Sequence, residues 1–244
     1  MKKATFLAFL LSAFTASAQV SVTVSPLDLE LVSRVTDAGQ PLKPSSDKVS
    51  SGSAAFSPSV QVLFPISSKW AFSAGLGHSR RYTNTGFNSE IAVVKQAVNS
   101  SAPIPERGVL TDVTTRDYYL SVPLGLYYRP VFSRKARAII GLQIRSDIRT
   151  AGRQTADFLP ERFSSAELNL PELKRDVEAY FAERATPVLF SLAPTLGFDA
   201  PLTPRLALVM TGRAIWFANG PDRVTGGFGW GLGGQAGLRY QFTR

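Results

Sequence analysis

The chain has 244 residues, a formal net charge of +9 and no cysteine. Its length is most simply that of one domain, and the lack of cysteine excludes disulfides and leaves few soft metal ligands. No apolar run is long enough to predict a transmembrane helix. The positive charge would suit nucleic acid, but the N-terminus indicates export, so nucleic acid is not expected as a partner.

Residues 1–18 have the pattern of a secretory signal peptide. Two lysines are followed by an apolar segment over residues 4–14, and Ala16-Ser17-Ala18 fits the small-x-small cleavage rule. The apolar segment is too short to act as a membrane anchor. We therefore expect cleavage after Ala18 and a mature chain that forms a single domain over residues 19–244.

Eight segments alternate between apolar and polar residues, as β-strands with two different faces do. The predicted strands cover residues 20–33, 54–66, 69–82, 116–129, 137–149, 187–200, 205–217 and 226–244. In the first strand the alternation shifts by one position at Ser25-Pro26, and because proline cannot donate to a ladder, we predict a bulge there.

The connections between these strands alternate in length. Long, polar connections are predicted at 33–53, 83–115 and 150–186, and short turns at 67–68, 130–136 and 201–204, with a medium connection at 218–225. Within the third long connection, residues 171–184 show helical spacing. Outer-membrane barrels have short periplasmic turns and longer outer loops. The pattern predicts an all-β fold, an eight-stranded antiparallel up-and-down transmembrane β-barrel with a short helix in the third outer loop.

The bulky apolar face carries aromatic residues towards both of its ends. We predict an aromatic girdle of Trp70, Tyr118, Tyr128, Trp216, Trp230 and Tyr240. The ten-residue step between Tyr118 and Tyr128 spans roughly 25 Å along the barrel axis, the height of an apolar band. A soluble lipocalin-like barrel with an apolar interior is the rival, but an eight-stranded interior is too narrow for a face that bears three tryptophans.

The opposite face is rich in glycine and serine and carries charged residues. We predict a polar network in the lumen formed by Arg81, Arg145, Asp147, Arg149, Asp199, Arg213, Gln235 and Arg239. Asp28 and Glu30 are further candidates for inward acids. Buried arginines need partners, so we predict that Asp147 and Asp199 pair with inward arginines. A filled lumen is favoured over an anion path, because eight strands leave no continuous channel.

The sequence offers no catalytic constellation. Some outer-membrane lipid A deacylases use a histidine and a serine on one lipid-facing strand, but His78 and Ser79 are adjacent in this chain and point to opposite faces. No glycine-rich phosphate loop is present. We therefore expect no enzyme, no cofactor and no metal site. The helix at 171–184 has mixed charges, and its apolar side could pack on the barrel mouth or meet a partner.

Two segments carry a family resemblance. Tyr119, Leu120, Pro123, Leu124 and Tyr127 to Arg129, with the closing segment 238–242, resemble the outer membrane protein β-barrel family of Bacteroidetes, the PorT-like and OmpX-like small barrels. The resemblance implies a small outer-membrane barrel inserted by the barrel assembly machinery, which reads a terminal aromatic residue. This chain departs from the pattern, because Thr243 and Arg244 follow Phe242.

These features predict a protein of the Gram-negative outer membrane, surrounded by lipid and lipopolysaccharide. We expect an anchored structural or interaction protein whose loops 83–115 and 150–186 contact an unknown protein partner outside, or whose basic turn at Arg134-Lys135 contacts a periplasmic one. A small-solute or anion porin is the first alternative. An enzyme that modifies outer-membrane lipid is the second.

Overall fold

The computed structural model describes residues 20–37, 48–104, 109–133, 136–159, 169–219 and 229–242. The predicted signal peptide and the turn residues Arg134 and Lys135 lie outside the described residues. Within the described part, no helix is both long and apolar enough to cross a membrane.

The described residues form ten strands and two helices in one chain order. They are β1 (Ser21–Asp37), β2 (Lys48–Phe56), β3 (Ser59–Pro65), β4 (Trp70–Glu90), α1 (Ile91–Val98), β5 (Val109–Tyr128), β6 (Val131–Ser133), β7 (Ala136–Leu159), α2 (Leu170–Glu183), β8 (Val188–Pro201), β9 (Leu206–Phe217) and β10 (Gly229–Gln241). All strand pairs are antiparallel.

The sheet closes into a ring of eight wall strands. β2 and β3 are consecutive halves of one wall strand, because both pair with β1 on one side and β4 on the other, and β6 is a short addition to β7. The ring closes where β10 pairs with β1, with Val22 opposite Tyr240 and Leu31 opposite Leu232. Closure leaves no open sheet edge. The predicted eight-stranded antiparallel barrel is confirmed.

The predicted bulge in β1 is also confirmed, and it decides which side chains enter the lumen. The register between β1 and β10 shifts between Val24 and Leu27. Before the shift Ser25 is buried, and after it Asp28 and Glu30 are buried. The extra residue thus exchanges the two faces of the strand and turns both acids inward.

The predicted loops 83–115 and 150–186 are wrong in extent, because the strands continue well into them. β4 runs to Glu90, β5 begins at Val109, and β7 runs to Leu159. The added lengths are polar on both faces, and bulges at Gly86/Ser89, Leu110/Asp112 and Tyr118/Tyr119 interrupt their alternation. An apolar period of two therefore ends before the strands do.

We call the end of the barrel with the short turns the turn end, and the end that bears the helices the cap end. The helix predicted at 171–184 is confirmed as α2. Helix α1 falls in a connection predicted to be a loop, so the expectation of a single helix is wrong. α1 has only eight residues, several of them β-branched, and it ends at Asn99 in the left-handed conformation with φ 55°.

The two helices and the strand extensions form a small cap with its own apolar core. The core of the cap consists of Phe87, Val94, Ala102, Leu110, Val113, Ala156, Leu173, Val177 and Phe181. Three of these residues come from α2, whose apolar side therefore packs on the barrel rather than standing free. The cap holds the outer connections in a defined arrangement.

Candidate functional site

Glu30 lies at the centre of the lumen and contacts three arginines. It is 1% exposed. Arg81 donates from Nη2 to Oε2 over 2.8 Å, Arg145 donates to both carboxylate oxygens, with Nη2 2.7 Å from Oε2, and Arg213 donates from Nη2 to Oε1 over 2.7 Å. The four residues come from β1, β4, β7 and β9, so the contacts join distant parts of the wall across the lumen.

Two further acids complete this central cluster. Arg213 also pairs with Asp28, and Nε of Arg145 lies 3.0 Å from Oδ2 of Asp147. Three carboxylates thus face three guanidinium groups, and the formal charges cancel. Buried charges are tolerated only when they are paired and hydrogen-bonded in this way. The central cluster therefore fills the lumen with an electrically neutral layer.

Apolar side chains lie on both sides of the central cluster, which a purely polar lumen did not include. Towards the cap end these are Val32, Ala193, Ile215 and Phe217, and towards the turn end Leu63, Ala71, Tyr127, Ile139 and Val209. The guanidinium carbon of Arg81 lies 4.9 Å from the centre of the Phe217 ring. These apolar layers reduce water access to the ion pairs, which strengthens their electrostatic attraction.

A second charged group occupies the turn end. Asp199 accepts from Nη2 of Arg129 over 2.7 Å and also pairs with Arg239. On the cap side of the central cluster, Nε of Arg149 donates to Oδ1 of Asp117 over 2.9 Å. Charge pairing thus occurs at three heights in the lumen.

All eight residues of the predicted network lie on the inner parity, but the structure divides them. Arg81, Arg145, Asp147 and Arg213 belong to the central cluster, Asp199 and Arg239 to the turn end, and Arg149 to the cap side. Gln235 is half-buried and its amide nitrogen lies 3.5 Å from Oγ of Ser59. The prediction of one continuous network is therefore replaced by separate groups.

Asp117 and Arg129 were not among the predicted lumen residues. Both lie on β5 or directly after it, on the parity opposite to Tyr118 and Tyr128. The alternation that placed those tyrosines outward therefore also contained the signal for the inward charges.

The lumen is closely filled below the central cluster. A cavity of about 40 Å³ lies between Gln61, Tyr127, Thr211 and Arg239, among other residues. This volume admits about one water molecule. A wide aqueous path does not pass through this level.

The predicted girdle residues form two groups on the outer wall. Trp70, Tyr128 and Tyr240 lie near the turn end, where the Trp70 and Tyr128 ring centres are 5.2 Å apart. Tyr118, Trp216 and Trp230 lie nearer the cap end, with Trp230 directly opposite Trp216. Exposed apolar side chains occupy the wall between the groups, among them Leu76, Leu120, Leu124, Ile144, Leu196, Met210 and Leu232.

The residues considered for catalysis do not meet. His78 faces outward with its ring 5.9 Å from that of Tyr118, whereas Ser79 is fully buried and accepts a hydrogen bond from the Ser57 hydroxyl over 2.7 Å. Among the described residues no group of three or more histidines and carboxylates could hold a metal ion. The geometry gives no acid, base and nucleophile in reach of one another.

We expect Asp147→Asn to lower the free energy of unfolding by about 2 kcal/mol, the size of a hydrogen bond to a charged group. The amide keeps the shape but removes the charge that faces Arg145. The effect is limited because Arg145 retains Glu30. Urea titration of the purified barrel measures it, and an unchanged midpoint would show that the Asp147 contact adds no stability.

No protein-family model and no curated protein matches the chain. Among solved structures, the outer membrane protein OprG from Pseudomonas aeruginosa is 13% identical, with a TM-score of 0.46, over 93% of this chain and 97% of that one. Neisserial surface protein A is 12% identical, with a TM-score of 0.41, over 93% and 99%. Outer membrane protein AlkL, solved in lipid bilayers, is 10% identical, with a TM-score of 0.41, over 93% and 92%.

Likenesses this distant carry no argument about activity or partners. The resemblance to the PorT-like family has no matching family model behind it, and it stays a prediction.

Proposed function

We propose that the chain is an outer-membrane β-barrel with a closed lumen, which anchors its cap at the cell surface as a structural or interaction protein. The observation that carries this proposal is the neutral cluster around Glu30. Three buried arginines and three buried acids occupy the middle of the barrel. A protein built this way has its contact surfaces at its ends.

The outer wall supports the membrane location. Apolar side chains that are each more than two-fifths exposed surround the barrel, Leu31 and Trp230 both at 67%. Soluble monomers rarely expose apolar patches of more than a few hundred Å². Aromatic residues border this belt at both ends, as they do at membrane interfaces. Export by a cleaved signal peptide and insertion by the barrel assembly machinery belong to the same proposal.

Cell fractionation with a heat-modifiability gel tests the location. We expect the protein in the outer-membrane fraction, with a faster-migrating band before boiling than after it, because a closed hydrogen-bonded barrel resists detergent. A soluble product without a mobility shift would overturn the membrane proposal.

We expect no steady ion conductance from the purified protein in a planar bilayer. The central cluster and the apolar layers beside it fill the lumen, and the arginines that could attract an anion already face carboxylates. A porin of known conductance, inserted under the same conditions, controls for bilayer quality. Steady single-channel currents would instead favour the alternative of a small-solute or anion porin.

The cap supplies a firm surface for a partner outside the cell. Its core fixes α2 against β7, and Lys174 of α2 lies 3.7 Å from Asp157 of β7. Ala156 donates its backbone N–H to Glu178 over 3.1 Å. The remaining charged face of α2 is solvated and of mixed sign, which suits a polar protein surface.

A basic and aromatic patch lies on the outer wall just beyond the upper aromatic group. Arg116 stands directly opposite Arg153, and its guanidinium carbon lies 5.8 Å from the centre of the Tyr82 ring. Neither arginine forms an ion pair within the described ranges. Like charges directly opposite one another destabilise a sheet unless an anion lies between them. Lipopolysaccharide, whose phosphates lie at this height of the outer leaflet, is the partner we propose for the patch.

We expect the double change Arg116→Gln and Arg153→Gln to weaken lipopolysaccharide binding by about twentyfold or more, since each basic residue near an anionic surface contributes about 1 kcal/mol. Lys174→Gln, which removes a cation from the cap, is the matched control and should bind as the parent does. Titration of detergent-solubilised protein with lipopolysaccharide gives the affinities. Equal affinities for all three proteins would remove the patch from the proposal.

A further inference from the structure

The outer wall carries an apolar groove that runs obliquely across β1, β10, β9 and β8 to the turn end of β7. Its volume is about 960 Å³, at the upper end of the usual range for small-molecule sites, which is about 300–1,000 Å³. Leu29, Leu232, Met210, Leu196, Phe198 and Ala138 are among the residues that line it. The groove is therefore large enough for an extended apolar chain.

Two outward-facing glycines form the floor of the groove. Gly212 and Gly234 are direct partners in β9 and β10, and Leu196 and Leu29 continue the same row on either side. A Cβ added at Gly212 would have its nearest neighbour 3.9 Å away, and one added at Gly234 would have it 4.0 Å away.

The barrel itself does not require glycine at these two positions. Elsewhere it does, because a Cβ at Gly77 would lie 2.9 Å from a backbone oxygen. Glycine weakens a strand interior and often marks the close approach of a ligand. The floor of the groove is thus kept low although the wall has room for side chains.

The groove ends at a positively charged rim. Arg137 lines both the groove and a neighbouring cavity of about 310 Å³ at the turn end. Arg129, Arg205 and Arg239 also line that cavity, against the single acid Asp199. Asp199 pairs with Arg129 and Arg239, whereas Arg137 and Arg205 form no ion pair within the part of the chain that the structure describes. The rim therefore has uncompensated positive charge.

We propose that this surface binds one membrane phospholipid, with an acyl chain in the groove and the headgroup phosphate at Arg137. An apolar groove that leads to unpaired cations matches an amphiphile with an anionic end. The turn end is the periplasmic side of the proposed membrane barrel, so the occupant comes from the inner leaflet of phospholipid. The inference rests on the membrane location proposed above.

The test counts bound lipid on the folded full-length barrel. Native mass spectrometry in detergent micelles, with phosphatidylglycerol as the probe, should show one retained lipid on the parent protein. Gly212→Val with Gly234→Val fills the floor, and we expect retention to fall by about tenfold, a loss of about 1.4 kcal/mol. Gly52→Val is the matched control, because a Cβ at Gly52 has nothing within 4 Å and lies away from the groove.

The headgroup is tested separately with Arg137→Gln. The parent should retain phosphatidylglycerol better than diacylglycerol, which lacks the phosphate, and the variant should lose about fivefold of that preference. Equal retention by the parent and the groove-filled variant would overturn the inference, as would a parent dimer that the valines dissociate, since a second copy would then occupy the groove. A heat-shifted band for each protein establishes that the barrel is folded, so a negative lipid result leaves the proposed function standing.

Discussion

We expect Glu30→Gln to lower the free energy of unfolding of the barrel by about 3–5 kcal/mol, the cost of leaving a buried charge without its partner. Glu30 is the only carboxylate of the central cluster that contacts Arg81, Arg145 and Arg213 together. Glutamine has nearly the same shape but carries no charge, and its amide nitrogen would face a guanidinium group. The change leaves two acids for three buried arginines, and the apolar layers on either side hinder hydration of the surplus charge.

Urea-induced loss of the heat-shifted band measures this destabilisation. Glu183→Gln is the matched control, because it removes the same charge from an exposed position at the end of α2, and it should change the midpoint very little. Asp147→Asn should fall between the two. A Glu30 variant as stable as the parent would mean that the arginines find other partners or water, and the lumen would then not be a sealed layer.

The alternation of side chains made the barrel predictable from the sequence, because every wall residue faces either the lumen or the outside. The last strand shows this well, with Trp230 and Leu232 exposed and Arg239 buried. The bulge at Ser25-Pro26 was predictable for the same reason, since one extra residue exchanges the faces visibly in the sequence.

Pairing in the lumen was not predictable, because alternation gives the face of a residue and not its height. Strand tilt and register bring Glu30 of β1 to the level of Arg145 of β7, which is 115 residues away. Asp199 was expected to pair inward and does so, but Arg129 lies just past a strand end and escaped the pattern. Only the register of all eight wall strands fixes these contacts.

The strand ends were missed for a different reason. Beyond the apolar belt both faces of β4, β5 and β7 meet water or the cap, so the contrast that identifies a strand disappears while the backbone pairing continues. Helix α1 is short and held by tertiary contacts, with Val94 fully buried in the cap. Local propensity is a weak guide in such a segment.

The structure separates two units with different sources of stability, the closed ring and the cap. We expect Phe181→Ala to unfold the cap locally while the ring remains intact. The Phe181 ring lies 6.0 Å from that of Phe87 and 5.4 Å from that of Tyr180, and it is 3% exposed. Removal of a buried phenylalanine costs about 3–5 kcal/mol, a large loss for a core of this size.

Limited trypsin digestion distinguishes local from global unfolding. In the Phe181 variant we expect rapid cleavage after Lys174, Arg175 and Arg184 in or beside α2, together with an unchanged heat-shifted band. Phe190→Ala makes the same deletion on the barrel wall, where Phe190 is 47% exposed, and should digest as the parent does. If the Phe181 variant also lost its heat shift, cap and ring would unfold as one unit. If it digested like the parent, packing of α2 would not depend on the apolar core of the cap, and the cap would lose its claim to be a firm contact surface.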